Sequence, residues 1–197
     1  AAGDIGEVVR YSATGAWVRN EAYYARSAWA GRRTLEGRVV ADGALTNPLA
    51  HATATALALA GATRLEDVKS LELDLWRAND IAADDTSVAV FDLEGDVRLT
   101  TAVTLAASLQ KDPYVEVVGT NGALRLWYTK DDIELLDANG LVLETQHTGR
   151  RDLIENLLAA REGTEVLFSP LAGTGAFMRL VEGVMQAPAP RLVAEGS

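Results

Sequence analysis

From Val68 onward the apolar period is two, and the connections between successive apolar runs are too short for anything but hairpins. Leu71, Leu73 and Leu75 alternate with Glu72, Asp74 and Trp76, as in a strand with one buried face. Thr86–Leu93 and Val97–Leu105 are two further strands joined at Glu94-Gly95-Asp96. Tyr114–Val118 and Ala123–Tyr128 flank Gly119-Thr120-Asn121-Gly122, and Ile133–Leu136 and Leu141–Glu144 flank Asn139-Gly140. Asn-Gly supplies the positive φ angles of a tight turn. A parallel pair needs a crossover of about a dozen residues, so these connections favour antiparallel pairing.

Upstream, Val8, Val9, Tyr11 and Trp17 mark a strand over Ile5–Trp17, and Val18–Val40 reads as a loop with one helical turn. Thr46 or Asn47 can cap a helix with Pro48 at its first position, and Leu49, Ala52, Ala56 and Leu59 continue one apolar face to about Ala60. After the strands, Leu153, Ile154, Leu157 and Leu158 predict a helix behind a Thr148 cap. A last helix should start at Ser169-Pro170 and use Phe177, Met178, Val181 and Met185. This order predicts an α+β fold: a mostly antiparallel open β-sheet with helices on one face. It is expected to form one domain over 1–187, with a flexible tail over 188–197.

A net charge of −10 disfavours a nucleic acid or an anionic membrane as partner, since both need concentrated Lys and Arg. The absence of cysteine removes disulfide, thiolate and Cys-based metal chemistry. The two histidines, His51 and His147, stand far apart without a helper ligand, so no metal is expected. The apolar stretch Ala52–Ala60 falls short of the about 20 residues of a bilayer span, and no basic-plus-apolar leader is present, so a soluble, cytoplasmic protein is expected. Gly173-Thr174-Gly175-Ala176-Phe177-Met178 follows Ser169-Pro170 rather than a strand and lacks the third glycine of a dinucleotide loop. The pair Asp84-Asp85 reads as solvated.

The chemistry-bearing stretch is Asp42-Gly43-Ala44-Leu45-Thr46-Asn47-Pro48-Leu49-Ala50-His51. If it is helical, Asn47 and His51 lie on one face and can converge on one ligand. From the residues alone, His51 reads first as a helix histidine bonded locally, and Asn47 before Pro48 is equally an N-cap. Just upstream, Arg19, Tyr23, Tyr24, Arg26, Trp29 and Arg32 crowd one segment. Aromatic faces pack on sugar rings while Arg and Tyr donate hydrogen bonds, so this composition suits a polyhydroxylated or acidic ligand. The same aromatic residues could instead anchor a long loop.

Three segments together resemble the Gfo/Idh/MocA oxidoreductases. Gly43, Asn47 and His51 occupy the places of that family's glycine-led Asp-x-x-x-His motif. Gly3-Asp4-Ile5-Gly6-Glu7-Val8 is similar to the Gly-x-Ile-Gly-Glu-Val that opens its second domain, and Glu116-Val117-Val118-Gly119-Thr120-Asn121-Gly122 is similar to its Glu-Val-x-Gly-Thr-x-Gly. The order of the segments is the family's. Two positions depart: Asn47 stands where the family usually has aspartate, and Asp42 where it often has glycine.

The resemblance implies the C-terminal, substrate-binding and oligomer-forming domain of a dehydrogenase acting on a sugar, cyclitol or related polyol. NAD or NADP would be held by an N-terminal Rossmann domain that this chain lacks, with no cofactor expected on this chain alone. His51 and Asn47 are then the catalytic candidates, and Arg19, Tyr24, Arg32 and Asp42 the substrate-binding ones. Imidazole can take a hydroxyl proton near neutral pH, whereas the amide of Asn47 can hold a hydroxyl but cannot accept its proton as a carboxylate does. A homo-oligomer through the sheet is expected, with Trp76 and Trp127 as interface candidates. The competing expectation is a non-catalytic binding or dimerisation module of the same fold.

Overall fold

The structure, a computed structural model, describes residues 4–193; Gly3 of the first motif and the last four residues of the expected tail lie outside them. The strands are β1 (Val8–Val18), β2 (Thr34–Leu35), β3 (Arg38–Val39), β4 (Val68–Arg77), β5 (Thr86–Leu93), β6 (Arg98–Thr104), β7 (Ala106–Gly119), β8 (Gly122–Trp127), β9 (Asp132–Asp137), β10 (Val142–His147) and β11 (Arg191–Leu192). The helices are α1 (Glu21–Tyr24), α2 (Ala50–Leu59), α3 (Leu153–Arg161) and α4 (Gly175–Gln186). Nine strands form one sheet in the order β10-β9-β8-β7-β1-β6-β5-β4-β11, and β2 and β3 form a separate ribbon.

The three predicted hairpins are present, and β7 extends eight residues upstream of the predicted Tyr114. Two pairings are parallel: β1 beside β6 at the centre, and β11 beside β4 at the edge. The long path between β1 and β6, which carries α2 and the β4–β5 hairpin, makes the central parallel pair possible. The expected tail contributes Arg191 and Leu192 to the sheet edge beside Trp76 and Arg77.

The family-like segments meet in space. Ile5 O accepts from Asn121 N at 2.9 Å, and Glu7 O accepts from Thr120 N at 2.9 Å. Gly6 has φ +74°, and a Cβ there would strike the Thr120 hydroxyl, while one at Gly119 would strike Ile5 O. Two segments more than a hundred residues apart thus dock backbone to backbone, which only glycine permits.

On one face of the sheet, Ala13, Ala89, Phe91, Leu99, Val103 and Leu75 pack with Leu49, Ala52, Ala56 and Leu57 of the α2 region and with Ala176, Leu180 and Val184 of α4. The α4 face is therefore turned from the predicted set; Met178 is 53% exposed. Its first turn is a 3-10 turn over Leu171–Thr174, so the glycines there open a helix pressed against the Arg64–Leu65 backbone.

Two helix starts differ from expectation. No side chain caps α2, which begins at Ala50, because Asn47 and Thr46 spend their polar groups on the preceding turn. Asp152, not Thr148, caps α3, accepting from Ile154 N at 2.7 Å; Thr148 donates instead to Asp131 O. The apolar row of α3 is not in the core: Leu153, Ile154, Leu157 and Leu158 are exposed, whereas Asn156 is 3% exposed. Asn156 holds the 165–168 segment against α3, donating to Val166 O at 3.0 Å and accepting from Phe168 N at 2.9 Å. His147 is exposed on β10, its Nδ1 2.9 Å from Asp132 Oδ1. No helix among the described residues is long and apolar enough to cross a membrane.

Candidate functional site

The strand ends Val18, Arg77, Thr86 and Thr104 lie together at one end of the sheet. The 19–47 and 78–85 segments meet there, since Ala82 N and Ala83 N donate to Gly31 O and Ala44 N donates to Asp84 O. Asp84 and Asp85 are 1% and 0% exposed, so the expectation of a solvated pair is overturned. Hydrogen bonding makes that burial tolerable for Asp85. Its carboxylate accepts from Ala78 N, Asn79 N and the Asn79 amide at 2.8–3.0 Å, shaping the loop after β4.

Asp84 lies under the start of the candidate motif. Its Oδ2 accepts from Ser87 Oγ at 2.6 Å, and a Cβ on Gly43 would collide with its Oδ1. Gly43 is required because the turn runs directly over a carboxylate. Burial pushes the Asp84 carboxyl above the ordinary range, against the Ser87 hydrogen bond and the charge of Arg33.

Above this base the chain makes successive turns, with Asn47 N donating to Gly43 O at 3.0 Å and Leu49 N to Ala44 O at 3.1 Å. Asn47 itself is exposed, and its amide nitrogen donates to Asp42 Oδ1. Asp42 is 4% exposed, and its other oxygen accepts from Gly31 N at 2.7 Å. Both oxygens of its carboxylate thus accept hydrogen bonds from the protein, which fits a residue that shapes the turn. With its nitrogen held, the Asn47 amide has its carbonyl oxygen left as an acceptor. His51 is exposed in the first turn of α2.

The aromatic and arginine segment forms a stack. Arg19 lies 4.9 Å over Trp17 and 4.8 Å over Tyr23, and Arg26 lies 3.6 Å over Tyr23 and 4.8 Å over Trp29. Asn20 caps α1 by accepting from Tyr23 N. Tyr24 and Arg32 line a cavity of about 930 Å³ whose other wall is the loop from Arg77 to Ala82. Burial, with the charge of Asp85 second, pushes the Tyr24 phenol well above its ordinary range. Arg19 lines an adjoining cavity of about 680 Å³ with Asn20, Asn79 and Ala106. Glu21, Ala78 and Asn79 border both, so the two form one groove. His51 and Asn47 line neither cavity.

A sequence profile of the GFO/IDH/MocA C-terminal domain matches residues 1–125. The chain belongs to the GFO/IDH/MocA family. Curated proteins give no match by sequence. Among solved structures, the fold is similar to the WlbA dehydrogenase from Bordetella pertussis in complex with NADH and UDP-GlcNAcA, with TM-score 0.68 and 16% identity over 92% of this chain and 54% of that one. The WlbA dehydrogenase from Chromobacterium violaceum, also with NADH and UDP-GlcNAcA, gives TM-score 0.64 and 14% identity over 92% and 52%. An oxidoreductase from Agrobacterium radiobacter in complex with NAD+, L-tartaric acid and magnesium gives TM-score 0.60 and 18% identity over 93% and 55%. This chain spans just over half the length of each.

Set against the GFO/IDH/MocA pattern, the two departures in the motif touch: the carboxylate missing at position 47 is found one hydrogen bond away on Asp42. The sequence reading missed Asp84 and Asp85 as the foundation of this end of the sheet. Two acids directly before an apolar strand were the available signal. Among the described residues no group of His, Cys, Asp and Glu is placed to hold a metal ion.

Proposed function

We propose that this chain is the substrate-binding half of an NAD(P)-dependent oxidoreductase acting on a sugar, cyclitol or related polyol. The observation carrying this reading is His51, exposed in the first turn of α2 beside a turn built on Asp84 and fixed by Asp42, in a GFO/IDH/MocA domain. A nicotinamide dinucleotide, bound by a preceding domain, would supply the hydride acceptor. Within this chain, His51 takes the proton of the substrate hydroxyl whose carbon is oxidised, and the Asn47 carbonyl oxygen accepts from a hydroxyl to orient it. Tyr24, Arg32 and Arg19 line the groove that receives the rest of the substrate.

Self-association through the sheet belongs to the same proposal. The face opposite α2 and α4 carries rows of small residues, such as Ser12, Thr100 and Val90, or Thr14, Ala102 and Val88, in direct register. Flat, partly apolar rows of this kind suit a partner sheet. Trp76 is covered by Arg191 at 4.0 Å, and Trp127 packs 4.9 Å from Tyr114, so both border that face already engaged.

A second reading, a non-catalytic binding or dimerisation module, is favoured by one observation: position 47 is an amide, and the nearby carboxylate of Asp42 is occupied. The two readings part in a turnover assay. The chain joined to the dinucleotide domain encoded with it should reduce NAD(P)+ with a sugar or polyol, while this chain alone should not. Failure of every sugar and polyol to support reduction by the joined protein favours the module.

A further inference from the structure

We propose that Arg19 is an anion-recognising residue of the groove, so that the substrate is a sugar bearing an oxyanion, carboxylate or phosphate, rather than a neutral polyol. This rests on the substrate reading above and adds the charge of the ligand. The Arg19 guanidinium lies 4.9 Å from the Trp17 ring centre and 4.8 Å from that of Tyr23, and its Nη1 donates to Val18 O at 3.0 Å. Its backbone N–H donates to Leu105 O at 2.8 Å, so both main chain and side chain are fixed.

Arg19 Nε is buried without a partner, while Nη2 is neither buried nor hydrogen-bonded among the described residues. No carboxylate pairs with Arg19 or with Arg32 among those residues, although the chain carries 28 acidic against 18 basic side chains. Among the arginines that line the groove, Arg77 pairs with Asp80, whereas Arg19 and Arg32 have no acidic partner among the described residues. Besides Arg19, the cavity wall there is made of the small or neutral residues Asn20, Ala22, Ala78, Asn79, Ala106 and Ala107 and one carboxylate, Glu21.

A guanidinium fixed in advance loses little entropy on binding, and its open Nη2 can donate a charge-assisted hydrogen bond to an oxygen of a carboxylate or phosphate. A sugar hydroxyl can accept from it but offers no charge, so the arrangement discriminates by charge more than by shape. Arg32, at the far end of the same groove, is a second open cation for a longer acidic ligand.

The test is binding to this chain, followed by amide NMR, of D-glucuronate, D-glucose 6-phosphate and D-glucose. One or both acids should bind about tenfold or more tightly than glucose, as one charge-assisted hydrogen-bonded contact provides. Glucuronate preferred over glucose 6-phosphate assigns the anion as carboxylate, and the reverse as phosphate. Arg19→Met should erase the preference of acid over glucose. Should Arg19→Met fail to fold, Arg19→Gln, which removes the charge and keeps a polar side chain, should erase the preference. Equal binding of acid and neutral sugar, no binding of either acid, or a preference untouched in the variant that folds overturns the proposal. In the two-domain protein, an active His51→Ala variant with an Arg19-dependent acid preference sinks the catalytic reading alone. An inactive His51→Ala variant beside a charge-blind wild type sinks this inference alone.

Discussion

The Asn47 amide donates to the carboxylate of Asp42, whose second oxygen is taken by the Gly31 amide. Asn47→Asp, which restores the family residue, therefore sets one carboxylate against another. The single variant should lower the unfolding midpoint at neutral pH, and Asp42→Asn added to it should recover most of the loss. A double-mutant cycle by urea unfolding should give a coupling of about 1 kcal/mol or more, as for contacting hydrogen-bonded groups. Additive effects would show that the two side chains do not interact.

Asp85 carries the wall of the groove. Asp85→Ala leaves the amides of Ala78 and Asn79 without their acceptor, and the Asn79 side chain loses its partner. We expect a loss of about 2 kcal/mol or more, since each stranded buried donor costs about 1–3 kcal/mol. Thermal unfolding checks this, and a shift within error of wild type would contradict it.

The turn between α2 and β4 should respond to acid. Asp67 accepts from Thr63 N at 2.9 Å, from Arg64 N at 2.8 Å and from the Arg64 guanidinium at 2.9 Å. These bonds, the Arg64 backbone first, hold its carboxyl below the ordinary aspartate range. A depressed folded-state value means that stability is present above the unfolded-state pKa and is lost as pH falls through the folded one. Asp67→Asn should therefore be less stable than wild type at neutral pH, with the gap closing once both forms are measured below the carboxylate range. A gap independent of pH would contradict the assignment.

Asn156 is the buried side chain of helix α3. A nine-residue helix is marginal alone in water, and here Asn156 ties it to the 165–168 segment. Asn156→Ala should raise hydrogen exchange across 153–161 while β5 and β6 keep their protection. Uniform protection along both regions would show that α3 is secured elsewhere.

The hairpins were legible because Asn-Gly and Gly-containing turns, together with a period of two, are local signals. The parallel pairing of β1 with β6 was not, since it depends on which strand fills the centre after a long excursion. Leu153, Ile154, Leu157 and Leu158 show the other limit: a helical stripe announces an apolar face but not what covers it. In the motif, Gly43 and His51 stood out through the resemblance to the family pattern, and Gly43 has a physical reason in the Asp84 carboxylate beneath it. The roles of Asp42 and Asp84 emerge only when residues distant in the chain are brought beneath the same turn.

The central claim is that His51 is the proton acceptor of a sugar or polyol oxidation. Its most direct measurement is the turnover of His51→Ala in this chain joined to a dinucleotide-binding domain, alongside dinucleotide binding. Loss of about a hundredfold or more in kcat, with dinucleotide affinity unchanged, is the expected result for removal of a general base. Turnover equal to wild type would contradict it.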